Sequence, residues 1–189
     1  YIKSVLPTVE GVVISDYGSG TVTEGLQSLL IDYCQAKGIP SIVDSRYAVR
    51  RFHGIGYVKQ NDAEIAAAMG RELVTTEEIV AAAEELRQEL AAKGVLVTRG
   101  ELGMVLVEHG AVHEIPVSDK SEVFDVSGAG DTCVATVILA LAAGVAPATA
   151  ARLSNIASGI AVRKLGTSTV SVRELAEAIE KSREEYTSK

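Results

Sequence analysis

At 189 residues the chain can hold one large domain or two small ones, and 47% hydrophobic and 23% charged residues with a mean hydropathy of +0.21 exclude a disordered chain. Eighteen basic against 25 acidic residues leave a formal charge of −7 and a pI of about 5.0, which argues against nucleic acid and against an anionic membrane surface as partners. The two cysteines, Cys34 and Cys133, lie far apart without Cys-x-x-Cys spacing, so neither a disulfide framework nor a zinc knuckle is expected, and a reducing cytoplasm suits them.

The chain opens on Tyr1, with neither an initiator methionine nor the basic-then-apolar order of a signal peptide, so a further segment is expected upstream. Residues 11–15 read as the first buried strand. Thr21-x-x-Glu24 has capping-box spacing and opens a helix to about Lys37, with Gly38 as its stop. Residues 39–43 and 55–58 give two more strands; Thr75-x-x-Glu78 opens a helix to about Lys93, stopped at Gly94; residues 95–98 form the fourth strand. This alternation predicts an α/β fold, a mainly parallel sheet with helices on both faces in three layers, with ligands at the carboxyl ends of the strands. Residues 104–108 and 111–115, joined by His109-Gly110, read as a hairpin that adds antiparallel character. Three helical segments follow, at about 129–143, 147–164 and 172–186, the last opened by Ser171-x-x-Glu174. The nearly apolar stretch from Cys133 to Pro147 is too short to span a bilayer and is expected as a buried helix. No repeat, low-complexity tract or linker marks a second domain, so residues 1–189 read as one.

The most informative segment is Phe124-Asp-Val-Ser-Gly-Ala-Gly-Asp131-Thr, a glycine-rich turn running into the apolar helix. Gly128 and Gly130 leave backbone N–H groups uncovered, and the helix start adds about half a positive charge, a setting that suits phosphate oxygens. A carboxylate in that first turn, Asp131, competes with an anion unless it has its own task; removing the proton from an alcohol that attacks a phosphoryl group is one, and capping the helix is another. The turn is neither a Walker A loop nor a Gly-x-Gly-x-x-Gly fingerprint, and by itself it reads as well as a structural turn as an anion site.

Asp125-x-x-Gly-Ala-Gly-Asp131 resembles the carboxyl-terminal signature of the ribokinase or PfkB family of carbohydrate kinases. Other family landmarks recur in order at strand ends: Ser15-Asp16-Tyr17-Gly18-x-Gly20, Val43-Asp44, Asn61-x-x-Glu64 and Thr98-Arg99-Gly100-Glu101-x-Gly103. Asn155-x-x-x-Gly159 and Lys164-Leu-Gly-Thr complete the set, which spans nearly the whole chain. Within the family the combination is most similar to kinases that phosphorylate heptose 7-phosphate at its anomeric hydroxyl. The resemblance implies a ribokinase-like fold whose amino-terminal strands and lid would precede this segment.

It also implies roles. Asp131 would be the catalytic base, and the Gly128, Ala129 and Gly130 amides the anion hole. Asn61 and Glu64 would organise Mg²⁺ on a triphosphate, with Glu64 as metal ligand; the alternative is an asparagine N-cap with a first-turn glutamate, and both can hold at once. Lys59 would approach phosphate or be a solvated surface lysine. Thr98 and Gly100 would contact the nucleotide, with Arg99 between them solvated. Asn155 would border the adenine pocket or make a hydrogen bond within its helix. Asp125, with carbonyls around Ala161, Lys164 and Gly166, would hold a potassium ion. Asp16, Asp44 and Arg46 would face the sugar, Arg46 taking a distal phosphate; the family often has proline where Ser45 stands. Cys133 reads as a small core residue whose pKa the helix start could lower, and the three histidines as surface residues. The implied activity is ATP-dependent transfer of a phosphoryl group to a sugar or sugar phosphate. Fructose phosphate, ribose or a nucleoside are alternative acceptors, and a nucleotide-binding fragment without turnover is the alternative class. A homodimer or a fused domain is the expected partner, with an exposed sheet edge where the lid would attach.

Overall fold

The computed structural model describes residues 1–117 and 123–187. A short helix, α1 (Ile2–Val5), and a 3-10 turn at Leu6–Thr8 lead into β1 (Val12–Asp16), α2 (Glu24–Lys37), β2 (Ser41–Ser45), a 3-10 turn at Val49–Arg51 and β3 (Tyr57–Asn61). Then come α3 (Asp62–Met69), α4 (Thr76–Leu90), β4 (Gly94–Thr98), a 3-10 turn at Gly100–Leu102, and the hairpin β5 (Met104–Glu108) and β6 (Ala111–Ile115). Helices α5 (Ala129–Ala142), α6 (Pro147–Ala161) and α7 (Val172–Thr187) follow.

The strands form one sheet in chain order, β1 to β6. β1 to β4 are parallel, and β5 and β6 add antiparallel pairs. Among the described residues β1 is an edge, paired only with β2. Alternating side chains divide the core into two layers, as the two-residue period of a strand requires. Val43, Val58, Val95, Val97 and Val105 pack with α2, α3 and α4 through Ile31, Ile65, Ile79 and Leu86. Ile42, Tyr57, Leu96, Leu106 and Ile115 pack on the other face, with Cys133, Val134, Val137 and Ile138 of α5 and Ala151 of α6. The three-layer expectation is met.

Several boundaries differ from the sequence reading, each for a local reason. The cap of α2 is Thr23, whose side chain accepts from Leu26 N at 3.3 Å, while Thr21 pairs with the Ser19 hydroxyl at 3.0 Å. α4 stops before Gly94 because Ala91 takes the left-handed conformation at φ 51°, with its N–H bonded to the Arg87 and Gln88 carbonyls; Gly94 instead opens β4. The first three strands run two or three residues past their apolar runs, or one in β1, because backbone pairing continues through polar residues; β3 includes Lys59, Gln60 and Asn61. α6 ends at Ala161, with Val162 as its cap. Among the described residues no helix is long and apolar enough to cross a membrane.

Candidate active site

Three strand ends and one helix start converge on a cavity of about 440 Å³. The parallel register sets Ser15 beside Asp44 and Asp44 beside Lys59, so the carboxyl ends of β1, β2 and β3 present their polar residues in one row. The amino end of α5 closes the cavity from the other side with Gly128, Gly130 and Asp131.

Lys59 is the centre of the arrangement. The sequence left it open between phosphate contact and a solvated surface position; it is 5% exposed, and its ammonium lies 2.9 Å from Asp44 Oδ2 and 3.8 Å from Glu64 Oε2. Burial pulls the Lys59 pKa down, but Asp44 and Glu64 more than offset this and hold it above the ordinary lysine value. Burial pushes the Asp44 carboxyl up, opposed by Lys59 and reinforced by the Glu64 and Asp131 charges. Both directions follow from one cation shared among several carboxylates: the lysine stays charged and the carboxylates compete for it. Lys59 also faces the glycine turn, since a Cβ at Gly130 would stand 3.1 Å from Nζ and 3.7 Å from Asp44 Oδ2. A glycine here lets the ammonium approach the helix start.

That helix start has no side-chain cap, and Gly128 sits at φ 79°, a conformation that favours glycine. Of the three amides expected to form an anion hole, Ala129 N–H is already bonded to the Val126 carbonyl at 3.2 Å, because residues 126–129 close a turn. The Gly128, Gly130 and Asp131 amides have no acceptor among the described residues, so two of the three expected donors are open and Asp131 adds another. Asp131 is exposed to the cavity, and its Oδ1 accepts from the Tyr17 hydroxyl at 3.2 Å. Asp131, Asp44 and Ser15 all face Tyr17; Asp131 is the main reason that the Tyr17 pKa is raised.

Asn61 and Glu64 form a complete capping box: Glu64 N donates to Asn61 Oδ1 and Asn61 N to Glu64 Oε2, each at 2.8 Å. Both still line the cavity, so the cap fixes where they stand. Asp16 also lines the cavity but is 4% exposed, and its oxygens accept from Ser45 Oγ at 2.8 Å, Arg51 at 3.1 Å and Gly18 N at 3.2 Å. It is a buried anchor for the loop after β1, and Ser45, standing where the resembled family often has proline, is one of its donors. Arg46 stands on the rim with its guanidinium 5.5 Å from the Tyr47 ring centre, and no carboxylate pairs with it among the described residues.

Five expected positions, Ala129 with Thr98, Gly100, Asn155 and Asp125, lie outside this cavity lining. The Thr98 hydroxyl is 3.5 Å from the Gln60 carbonyl, and Gly100 opens the 3-10 turn after β4 at φ 53°. Arg99, expected in solvent, is largely buried, donating to Thr76 Oγ1 at 2.8 Å and 3.4 Å from Asp62. Among the described residues the Asn155 side chain makes no bond within its helix; it donates to the Pro116 carbonyl at 2.7 Å and ties α6 to the end of β6. Asp125 accepts from the Ser127 and Gly166 amides at 2.8 and 3.1 Å, bracing the loop before α5 against the loop after α6, and the Ser127 amide chiefly holds its carboxyl below the usual range. The Cys133 thiol is pushed up to about 11 by complete burial, so the helix start does not lower it.

The charge balance bears on a metal. Four carboxylates on the cavity wall, Asp16, Asp44, Glu64 and Asp131, face two cations, Arg46 and Lys59. A polyphosphate would meet net repulsion there without a divalent cation, and Glu64 is one of the carboxylates lining the space such a cation would share. No cluster of three or more metal-ligating side chains occurs among the described residues.

Residues 4–174 match the family described as pfkB family carbohydrate kinase. The bifunctional protein HldE of Mesorhizobium japonicum is 40% identical over 185 residues, covering 96% of this chain and 37% of the relative. A Pseudomonas aeruginosa HldE is likewise 40% identical, covering 95% and 38%. The chain therefore spans well under half of these relatives. Escherichia coli phosphofructokinase-2 in complex with potassium superposes with a TM-score of 0.83 at 25% identity, over 96% of this chain and 61% of that one. Arabidopsis thaliana ribokinase, complexed with ribose and ATP, gives 0.82 over 94% and 58%, and at 19% identity shares the fold.

Proposed function

This chain belongs to the pfkB family of carbohydrate kinases, and from that premise we propose that it carries the phosphoryl-transfer end of an ATP-dependent sugar kinase acting on a sugar phosphate, heptose 7-phosphate first. The observation that carries the proposal is an exposed carboxylate, Asp131, at the uncapped start of an apolar helix, across a cavity from a buried lysine.

The acceptor hydroxyl gives its proton to Asp131 as its oxygen bonds to the γ-phosphorus, and the bond from that phosphorus to ADP breaks. The open Gly130 and Asp131 amides and the Lys59 ammonium face the charge that develops on the phosphoryl oxygens. Magnesium, when bound with the nucleotide, neutralises phosphate charge, and Glu64, fixed by its cap with Asn61, would share it. The end of β4 with the turn after it, carrying Thr98 and Gly100, and the middle of α6, carrying Asn155, are the places assigned to nucleotide. The loops joined by Asp125 are where a potassium ion would add to an existing brace. An unpaired Arg46 on the rim favours an acceptor with its own phosphate over a neutral sugar, while Asp44 offers a carboxylate to its hydroxyls. The free, buried cysteines suit a cytoplasmic enzyme.

The test is ADP release by the protein expressed from its whole gene, over heptose 7-phosphate, fructose phosphate, ribose and nucleosides, with the Asp131→Asn variant alongside. Turnover on a sugar phosphate, reduced ~10²–10⁴-fold by Asp131→Asn at unchanged nucleotide affinity, is the expected result. Near-normal turnover of the variant sinks the role of Asp131.

A further inference from the structure

The transfer scheme leaves one contact without a task. Tyr17 lies 114 residues from Asp131 in the chain, on the loop after β1, yet its hydroxyl donates to Asp131 Oδ1 at 3.2 Å. Among the described residues no other side chain hydrogen-bonds or ion-pairs with that carboxylate; Lys59, the nearest buried cation, is engaged by Asp44 and Glu64. Packing does not account for the position of the ring, which is 60% exposed.

We propose that Tyr17 is a positioning residue for the phosphoryl transfer, its hydroxyl holding Asp131 by Oδ1 so that Oδ2 is the oxygen offered to the acceptor. The inference rests on the kinase reading above and adds to it the group that orients the base. Tyr17 is suited to this because its backbone is anchored. Asp16, its neighbour, is fixed by Ser45 and Arg51, and Gly18 N–H donates back to Asp16. The Tyr47 ring lies against the far side of the same loop, 3.0 Å from where a Cβ would stand on Gly18. The phenol is thus aimed from a rigid base, while Asp131 sits on the first turn of α5 with no cap to hold it. The negative charge of Asp131 and the partial burial of the ring, with a smaller push from Asp44, outweigh the opposing Ser15 hydroxyl and keep the phenol protonated, so it remains a donor throughout the neutral range.

Tyr17→Phe isolates the hydroxyl, because the ring and its exposure stay. In the whole-gene protein this variant is expected to lower kcat about tenfold, the factor for one hydrogen bond to a charged group, with KM for ATP and the melting temperature unchanged. A second reading does not need turnover: NMR titration of ring-labelled tyrosines, with the Tyr17 signal assigned by its loss in Tyr17→Phe. The Tyr17 phenol is expected to titrate above its ordinary value and to move back towards it in Asp131→Asn. An unchanged kcat in Tyr17→Phe, or a Tyr17 titration indifferent to Asp131→Asn, overturns the proposal. Absence of ADP release from the wild type with every acceptor would overturn the kinase reading and this role with it, whereas wild-type turnover matched by Tyr17→Phe overturns the positioning role alone.

Discussion

Replacing Lys59 by methionine removes the one buried cation of the cavity while keeping most of the side-chain volume. At 2.9 Å and an effective dielectric constant of ~20, its attraction to Asp44 is ~6 kcal/mol before the cost of desolvating both groups. Breaking such a buried pair by removing one partner costs ~3–5 kcal/mol, mostly because the remaining charge is stranded, out of a domain stability of ~5–15 kcal/mol. Lys59→Met is therefore expected to lose at least ~3 kcal/mol. In Lys59→Met/Asp44→Asn the stranded charge is gone, and the double variant should be ~2 kcal/mol or more stabler than the sum of the singles predicts. The pH dependence has a definite sign. Burial already raises the Asp44 carboxyl, and without Lys59 it rises further; a folded pKa above the unfolded one means stability present at low pH and lost as pH rises through the folded value. The Lys59→Met deficit should thus narrow on acidification. Urea midpoints read by circular dichroism at constant m-value give all four corners of the cycle. Additivity within ~0.5 kcal/mol would refute the pairing argument.

Three further measurements probe the framework. Ala91 holds a left-handed conformation at the end of α4 and is exposed, so Ala91→Gly should gain ~0.5–1 kcal/mol in urea unfolding; a loss would contradict the cap assignment. Cys133, its thiol pushed up to about 11, and the buried Cys34 should resist iodoacetamide at pH 8 in the native protein and react once it is unfolded, and rapid native labelling would count against the packing of α5. Glu84 is held at about 2 by Arg87, against an ordinary 4.5, so its share of stability is complete above pH ~4.5 and is lost as pH falls towards ~2. Melting temperature against pH should show a shallower acid limb in Glu84→Gln, and identical limbs would exclude the ion pair as its cause.

Apolar runs were enough to place every strand and the two-sided core: β2, β3 and β4, parallel and buried on both faces, declare themselves by continuous apolar residues, and β5 with β6 by the turn at His109-Gly110. What it misplaced were strand ends. Lys59 follows an apolar run and precedes a capping box, and hydropathy stops the strand at Val58, yet ladder pairing carries on to Asn61. A lysine inside that last ladder segment was the available signal that it is buried. The capping boxes at Asn61, Thr75 and Ser171 were legible, since their partners are three residues apart. Tyr17 with Asp131, Arg99 with Thr76 and Asn155 with Pro116 were not, because each joins distant segments that only the folded sheet brings together. The glycine turn was readable as an anion site, but which amides stay open depended on a turn at Val126 that the composition of the loop does not specify.

Every strand in the sheet lies beside its neighbour in sequence. Such a layout can assemble by closing one short crossover after another, each at modest entropic cost. The cavity does not share that economy, since it joins the end of the first strand to the start of the fifth helix across 114 residues. The sheet can therefore form before the site exists, and the docking of α5 onto β1 and β2 is the event that turns a folded scaffold into one with a place for chemistry.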